Sequence, residues 1–283
     1  MSEQSRRPDQ KPGEVRSVRA PDGARIEYEV VGTGPPLVML HGVLASRFAF
    51  SRQRNEFADH YRLIMLSARG HDGSDTIVPS NYGLGLSDVD DLRAVLDAEQ
   101  LDCINLFAHS SGGATAFVFA RQSPDRVARQ VLLEPTLLAL LPAEDRAQVI
   151  ADNEAVVAVG ESEGPEACMR AAIAMAAGDD WTKLDEATQT KRLQALASIA
   201  PMVGPHLRGL GQLPVSHTDV HDLRPPTLLL YGADSLRWEM LIADQIRALR
   251  PDLRVVTVEK AAHNVHRDRS DVVNAETLAF LAA

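Results

Sequence analysis

The chain has 283 residues, 45% hydrophobic and 24% charged, enough apolar material for one large domain or one domain carrying an insert. A net charge of −10, from 29 basic against 39 acidic residues, argues against nucleic acid or an anionic membrane surface as the main partner. The polar N-terminus lacks an apolar leader core, and no run approaches the ~18 apolar residues of a spanning helix, so a soluble, cytoplasmic protein is expected.

Residues 1–13, with Pro8, Pro12 and Gly13 among charges, are expected to lack fixed structure. A hairpin follows: 15–20, a turn at Pro21-Asp22-Gly23, and 25–31, where Ile26, Tyr28 and Val30 alternate with polar neighbours. Buried strands are predicted at 37–40, ending in His41-Gly42, and at 62–66. An amphipathic helix is predicted over 87–99, with Ser87 as its cap and a solvated acidic face. Further apolar strands fall at 104–108, 131–134, 227–231 and 254–258, and helices at 114–121, 236–249 and 269–282. Strands separated by helices predict an α/β fold with a doubly wound, mostly parallel sheet. From 136 to about 221 no strand is predicted. Helical runs near 143–159, 165–177 and 184–199 lead instead into a looser Pro/Gly-punctuated piece over 201–214. The organisation expected is a core of 14–135 and 223–283 with a helical cap, 136–222, inserted over the strand ends, where such sheets bind ligands. Met169, Ile173, Met175, Trp181 and Met202 either line its pocket or form its packing face.

The stretch Ile104–Arg121 carries the chemistry. Strand must turn into helix within His109-Ser110-Ser111-Gly112, which is the small-x-Ser-x-Gly pattern of a nucleophile elbow, with Ala108 in place of the first glycine. Small residues two places either side of Ser110 let strand and helix approach, and the helix N-terminus supplies free N–H groups. The bland alternative makes Ser110 a helix N-cap. An unactivated serine needs a base within reach. Of nine histidines, His263 is the best placed, in a loop at the C-terminal end of the strand 254–258, on the elbow's side of the sheet. His266 reads as a helix-start or surface residue, and His109 is expected to point away from the base.

With the elbow, the His41-Gly42 strand end, the loop Arg69-Gly-His-Asp-Gly-Ser-Asp75 and a late histidine in this order, the chain resembles the α/β-hydrolase superfamily. Its cap-bearing esterases, enol-lactonases and carbon–carbon bond hydrolases are the nearest likeness. Asp72 stands where that loop commonly has glycine. The resemblance implies a Ser110–His263–acid triad, an oxyanion hole from the backbone N–H groups of Val43 and Ser111, and His41 and Gly42 against the substrate. The family's usual acid position, after the strand 227–231, holds Ser235, with Asp234 one place early. Glu134, closing the strand after the elbow, is the favoured acid and Asp234 the alternative.

Other signals are set aside. His217 and His221 are four apart, but Thr218 replaces a zinc protease's glutamate and nearby prolines oppose a helix, so no metal site is expected. Gly83-Leu-Gly85 lacks a third glycine for dinucleotide binding. Cys103 and Cys168 show neither metal spacing nor a disulfide framework. The expected function is a serine hydrolase of a small or medium, partly apolar ester, thioester or lactone, with no cofactor and the oligomeric state left open. The competing readings are a lyase, carbon–carbon hydrolase or cofactor-free oxygenase using the same Ser/His pair, and a small-ligand binding protein on this fold.

Overall fold

The computed structural model describes residues 11–76, 87–177, 181 and 183–283. Eight strands form one sheet: β1 (Gly13–Arg19), β2 (Arg25–Val31), β3 (Pro36–Leu40), β4 (Arg62–Leu66), β5 (Ile104–His109), β6 (Val127–Leu133), β7 (Thr227–Gly232) and β8 (Arg254–Val258). Their order is β1-β2-β4-β3-β5-β6-β7-β8. The first two pairings, β1 with β2 and β2 with β4, are antiparallel; all others are parallel. Every residue of β5 and β7 is buried, as unbroken apolar runs in a doubly covered sheet require. Period-two alternation divides the strands between two cores. Val38, Leu40, Leu106 and Ala108 face one, and Leu37, Met39 and Phe107 face the other. Phe107 meets Phe50 and Phe57 edge-on at ring separations of 5.4 and 5.3 Å, a firm floor beneath the elbow.

The helices are α1 (Arg54–Phe57), α2 (Ser87–Ala98), α3 (Ser111–Gln122), α4 (Ala143–Glu163), α5 (Pro165–Ala177), α6 (Glu186–Leu196), α7 (Ala200–Gly211), α8 (His217–His221), α9 (Arg237–Leu249), α10 (Val265–Asp268) and α11 (Ser270–Ala282). Helices α4 to α8 lie in sequence between β6 and β7. The chain leaves β3 for β4 on one side and reaches β5 on the other, so the strand order switches at β3, the kind of crevice where open α/β sheets place ligands. Among the described residues no helix is long and apolar enough to cross a membrane.

Several local expectations are corrected. Residues 1–10 and Gly83–Gly85 lie outside the described residues, and residues 11–13, expected to lack fixed structure, have it. Lys11 N–H donates to Asn55 Oδ1 at 3.0 Å, and Gly13 opens β1. The 201–214 piece is largely helical, because Pro201 falls in the first turn of α7, where a missing N–H costs nothing, although Pro205 sits farther in. Strand β6 starts at Val127, since Gln130 is buried and donates to Thr227 Oγ1 at 2.9 Å across the sheet. The acidic side of the helix over 87–98 is solvated only in part: Asp90 and Asp97 are exposed, as expected, but other members are not. Asp91 is buried and bound at both oxygens by Arg69 (2.7 Å each), while Glu99, just beyond, accepts from Arg16, Arg62 and Tyr28. His217 and His221 are exposed on α8, a single turn that forms because Ser216 and Asp219 cap it reciprocally.

Candidate active site

Ser110 sits between β5 and α3 at φ 56°, ψ −123°, a left-handed conformation that costs an L-residue energy and survives only where its surroundings enforce it. The enforcement is backbone against backbone. Ser110 N–H donates to Leu133 O at 2.9 Å, and Ser110 O accepts from Ala114 and Thr136 N–H. A Cβ added at Gly112 would stand 2.5 Å from Leu40 O and 2.6 Å from His41 O, so only glycine lets α3 approach β3 this closely. The Ser110 side chain makes no cap hydrogen bond, contrary to the N-cap reading. Its Oγ instead lies 3.1 Å from His263 Nε2 and 3.3 Å from Thr136 Oγ1.

His263 follows β8, and its Nδ1–H reaches Glu134 Oε2 at 2.8 Å. Glu134 ends β6 with φ 45° and is buried. Its other oxygen accepts from Gly232 N–H at 2.6 Å and from the Ser235 hydroxyl. Ser235 occupies the superfamily's usual acid position, and here it serves Glu134 as a donor. Asp234 is exposed and its N–H donates to Ala261 O; the structure does not bring its carboxylate to His263. A second carboxylate, overlooked by sequence reasoning, does arrive: Glu239 Oε1 stands 2.6 Å from the same Nδ1. Glu239 is the third residue of α9, and its Oε2 accepts from Leu236 N–H at 2.9 Å. A glutamate three residues past a helix start was the available signal.

These partners explain the electrostatics. Burial works against the imidazolium of His263, but hydrogen bonds and charge from Glu134 and Glu239 outweigh it and raise the pKa to about 10. Burial likewise opposes the Glu134 carboxylate, and the His263 contact wins and holds it below its ordinary range. His109 is not turned away as expected. It is buried beside His263, ring centroids 4.7 Å apart, with Nε2 at 2.8 Å from His263 O, and burial drives its pKa down to about 3. His266 is not at the surface: it is fully buried against His109, and burial pushes its pKa far down.

The loop after β3 completes the site. His41 Nδ1–H donates to Gly42 O at 2.8 Å, while Nε2 accepts from Ala68 N–H at 3.1 Å. Both nitrogens are therefore spent on the loop, and His41 holds backbone rather than offering a polar atom to a ligand. His71 lies 2.8 Å from both Arg69 O and Val43 O, which fixes the Val43 peptide. Asp72, at φ 50° where glycine is common, accepts from Ser67 Oγ at 2.7 Å and pairs with Arg47. A Cβ at Gly42 would come within 3.0 Å of Ser110 Cβ. Beside the elbow, a cavity of about 40 Å³ is walled by His41, Gly42, Val43, Ser111, Asp91 and, from α7, His206; Ser110 and His263 stand next to it and do not line it. The helical insert thus reaches the strand ends. Met169, Ile173 and Trp181 are buried in the core shared with the sheet, Met202 abuts Gly70, and Met175 is exposed.

Among the described residues one group has metal-ligand geometry: Glu134, Glu239 and His263, with ligand atoms within 4.8 Å of one another. A cation there would have to displace the Nδ1 proton that both carboxylates face.

Comparison with known proteins agrees with this architecture. A 2-hydroxy-6-oxo-2,4-heptadienoate hydrolase of Pseudomonas putida is 29% identical over 217 residues, 75% of this chain and 76% of the relative. A 2-heptyl-3-hydroxy-4-quinolone dioxygenase of Rhodococcus erythropolis is 32% identical over 132 residues, 45% of this chain and about half (48%) of its own length. A thermophilic esterase from Thermogutta terrifontis superposes with a TM-score of 0.77 at 22% identity, covering 95% of this chain and 98% of the esterase, and so shares the fold. The model of the alpha/beta hydrolase family matches residues 37–276, and the chain belongs to that family.

Proposed function

We propose that the chain is a serine hydrolase of a small or medium, partly apolar ester, thioester or lactone. The observation that carries this reading is the unbroken relay from Ser110 Oγ to His263 Nε2 (3.1 Å) and from Nδ1 to Glu134 Oε2 (2.8 Å). In this mechanism Ser110 attacks the carbonyl carbon while His263 Nε2 takes the hydroxyl proton, and Glu134 holds the ring in the Nδ1–H tautomer. The carbonyl oxygen, now an oxyanion, rests on the backbone N–H groups of Val43 and Ser111. His263 returns its proton to the leaving group, takes one from the water that attacks the acyl carbon, and passes it to Ser110 Oγ as the acyl–oxygen bond breaks. Helices α4 to α7 act as a cap over this edge and limit substrate size.

A fluorophosphonate should label the native chain at Ser110, and a nitrophenyl ester should give a burst that Ser110→Ala abolishes. The partial similarity to a quinolone dioxygenase favours a second reading, in which the same Ser/His pair moves protons without an acyl-enzyme. Absence of both label and burst, with turnover of another substrate class, would select it.

A further inference from the structure

Among the described residues, the buried titratable groups that a three-residue relay leaves unused include one that touches the relay's own histidine through a carboxylate. The carboxylate of Glu239 stands as close to His263 Nδ1 (2.6 Å) as that of Glu134 does (2.8 Å), and both carboxylates are buried. Nδ1 has one proton, which the hydrogen bond to Glu134 after β6 uses, and Glu239, from the first turn of α9, meets the same nitrogen as an ion-pair contact. Two buried anions this close repel each other unless a cation lies between them, and the His263 ring is the group in that position.

We propose that Glu239 is a second carboxylate partner of His263: its charge faces Nδ1 beside the Glu134 hydrogen bond, strengthens the ring as a proton acceptor, and keeps it oriented when the Glu134 charge is lost. Glu239 touches no reacting atom and is a positioning residue; the inference rests on the serine-hydrolase reading for its kinetic consequence. Its other oxygen caps α9 through Leu236 N–H, so a purely structural role is the alternative to defeat. The remaining groups facing His263 do not compete. His109 and Ser110 come from the β5 end and are uncharged, burial holding His109 neutral. From the histidine's own loop, His266 is likewise neutral by burial, and Asp268 accepts from Ala262 N–H.

Strengthening the base has a cost that exposes it. A ring stabilised as imidazolium holds its proton at neutral pH, so the acidic limb of kcat/KM must lie high. The test uses the full chain with Glu239→Gln, Glu134→Gln, the double variant and Ser110→Ala. It reads nitrophenyl-ester hydrolysis against pH and the His263 ring resonances by NMR. Glutamine keeps an acceptor for Leu236 N–H, so the helix cap survives the substitution. In Glu239→Gln the acidic limb and the His263 titration should both fall by about one pH unit or more, with KM nearly unchanged. Glu134→Gln should retain hydrolysis that adding Glu239→Gln then lowers about tenfold or more. If Glu239→Gln does not fold, Glu239→Asp, which withdraws the charge from Nδ1, is read in its place and should also lower the limb. An unmoved limb and titration, with only the melting temperature reduced, would leave Glu239 a helix cap and overturn the proposal; so would a double variant no worse than Glu134→Gln. Wild-type hydrolysis by Ser110→Ala would refute the hydrolase reading instead, and the His263 titration would still decide the role of Glu239.

Discussion

The nucleophile's end of the sheet and the helical insert above it are held together by different means. At the elbow, backbone packs on backbone, Gly112 against Leu40 and His41 and Gly232 against Ala261 and Ala262, while Gly42 lies against the Ser110 side chain. In the insert, α4, α5 and α7 meet through apolar side chains such as Val156, Val157, Met169, Ala172 and Val203. A Cβ added at Gly204 would find Cys168 Sγ only at 3.8 Å, an ordinary contact, and the close approach of α4 to α5 at Gly160 is to the Cys168 side chain (2.7 Å from an added Cβ to Cys168 Cβ), not to backbone. Backbone contacts admit no exchange of residues, whereas an apolar interface accepts many combinations of similar volume. Motifs therefore concentrate at the elbow, and the insert carries none.

Substitutions can break or sharpen this contrast. The largest effect is expected at Ser110: alanine there should lower kcat/KM by at least ~10⁴-fold while leaving the melting temperature nearly unchanged, as steady-state kinetics and calorimetry would show. Next comes the buried pair behind the elbow. Asp91→Ala removes both hydrogen bonds that Asp91 makes to the buried Arg69 guanidinium, and urea unfolding should report a loss of about 3 kcal/mol. Gly42→Ala places a methyl against Ser110 and should cut kcat about 10²-fold with a small change in stability, the mark of a misplaced nucleophile.

The pH dependence follows with its sign. The His263 pKa is raised from 6.5 to about 10, so the rate should climb with pH across neutrality, because Nε2 must lose its proton to act as base. Stability should run the opposite way. The imidazolium contribution is complete below the unfolded value of 6.5 and is lost as pH rises through about 10, which urea melts across that window would detect. The smallest effect belongs to the surface of the insert. Arg208 and Glu154 pair there at 2.8 Å with both side chains exposed, and Arg208→Ala should cost less than about 1 kcal/mol with activity intact.

How much was legible divides along the same line. The positive φ of Ser110, the closeness demanded at Gly112 and the loop position of His263 are local consequences of short stretches, and residue order alone carries them. The acid was not legible in that way. Glu134 and Asp234 both follow strands on the same edge of the sheet, and which carboxylate faces Nδ1 depends on how those strand ends are turned. Asp91 and Glu99 looked like a wetted helix face because nothing near them in sequence announces Arg69, Arg62 or Arg16. His266 does stand at a helix start, but its burial was not legible for the same reason, since the rings and loops that bury it come from elsewhere in the chain.

Residue order by itself determined the sheet, its crossover helices, the elbow and the histidine loop, because apolar periodicity and small-residue spacing act over a few neighbouring residues. Only the tertiary structure decided that Glu134 and Glu239 both converge on one imidazole nitrogen. Those carboxylates stand 129 and 24 residues (263 − 134 and 263 − 239) from the histidine they touch, and a contact between groups so far apart along the chain exists only once the packed sheet and helix bring their ends together.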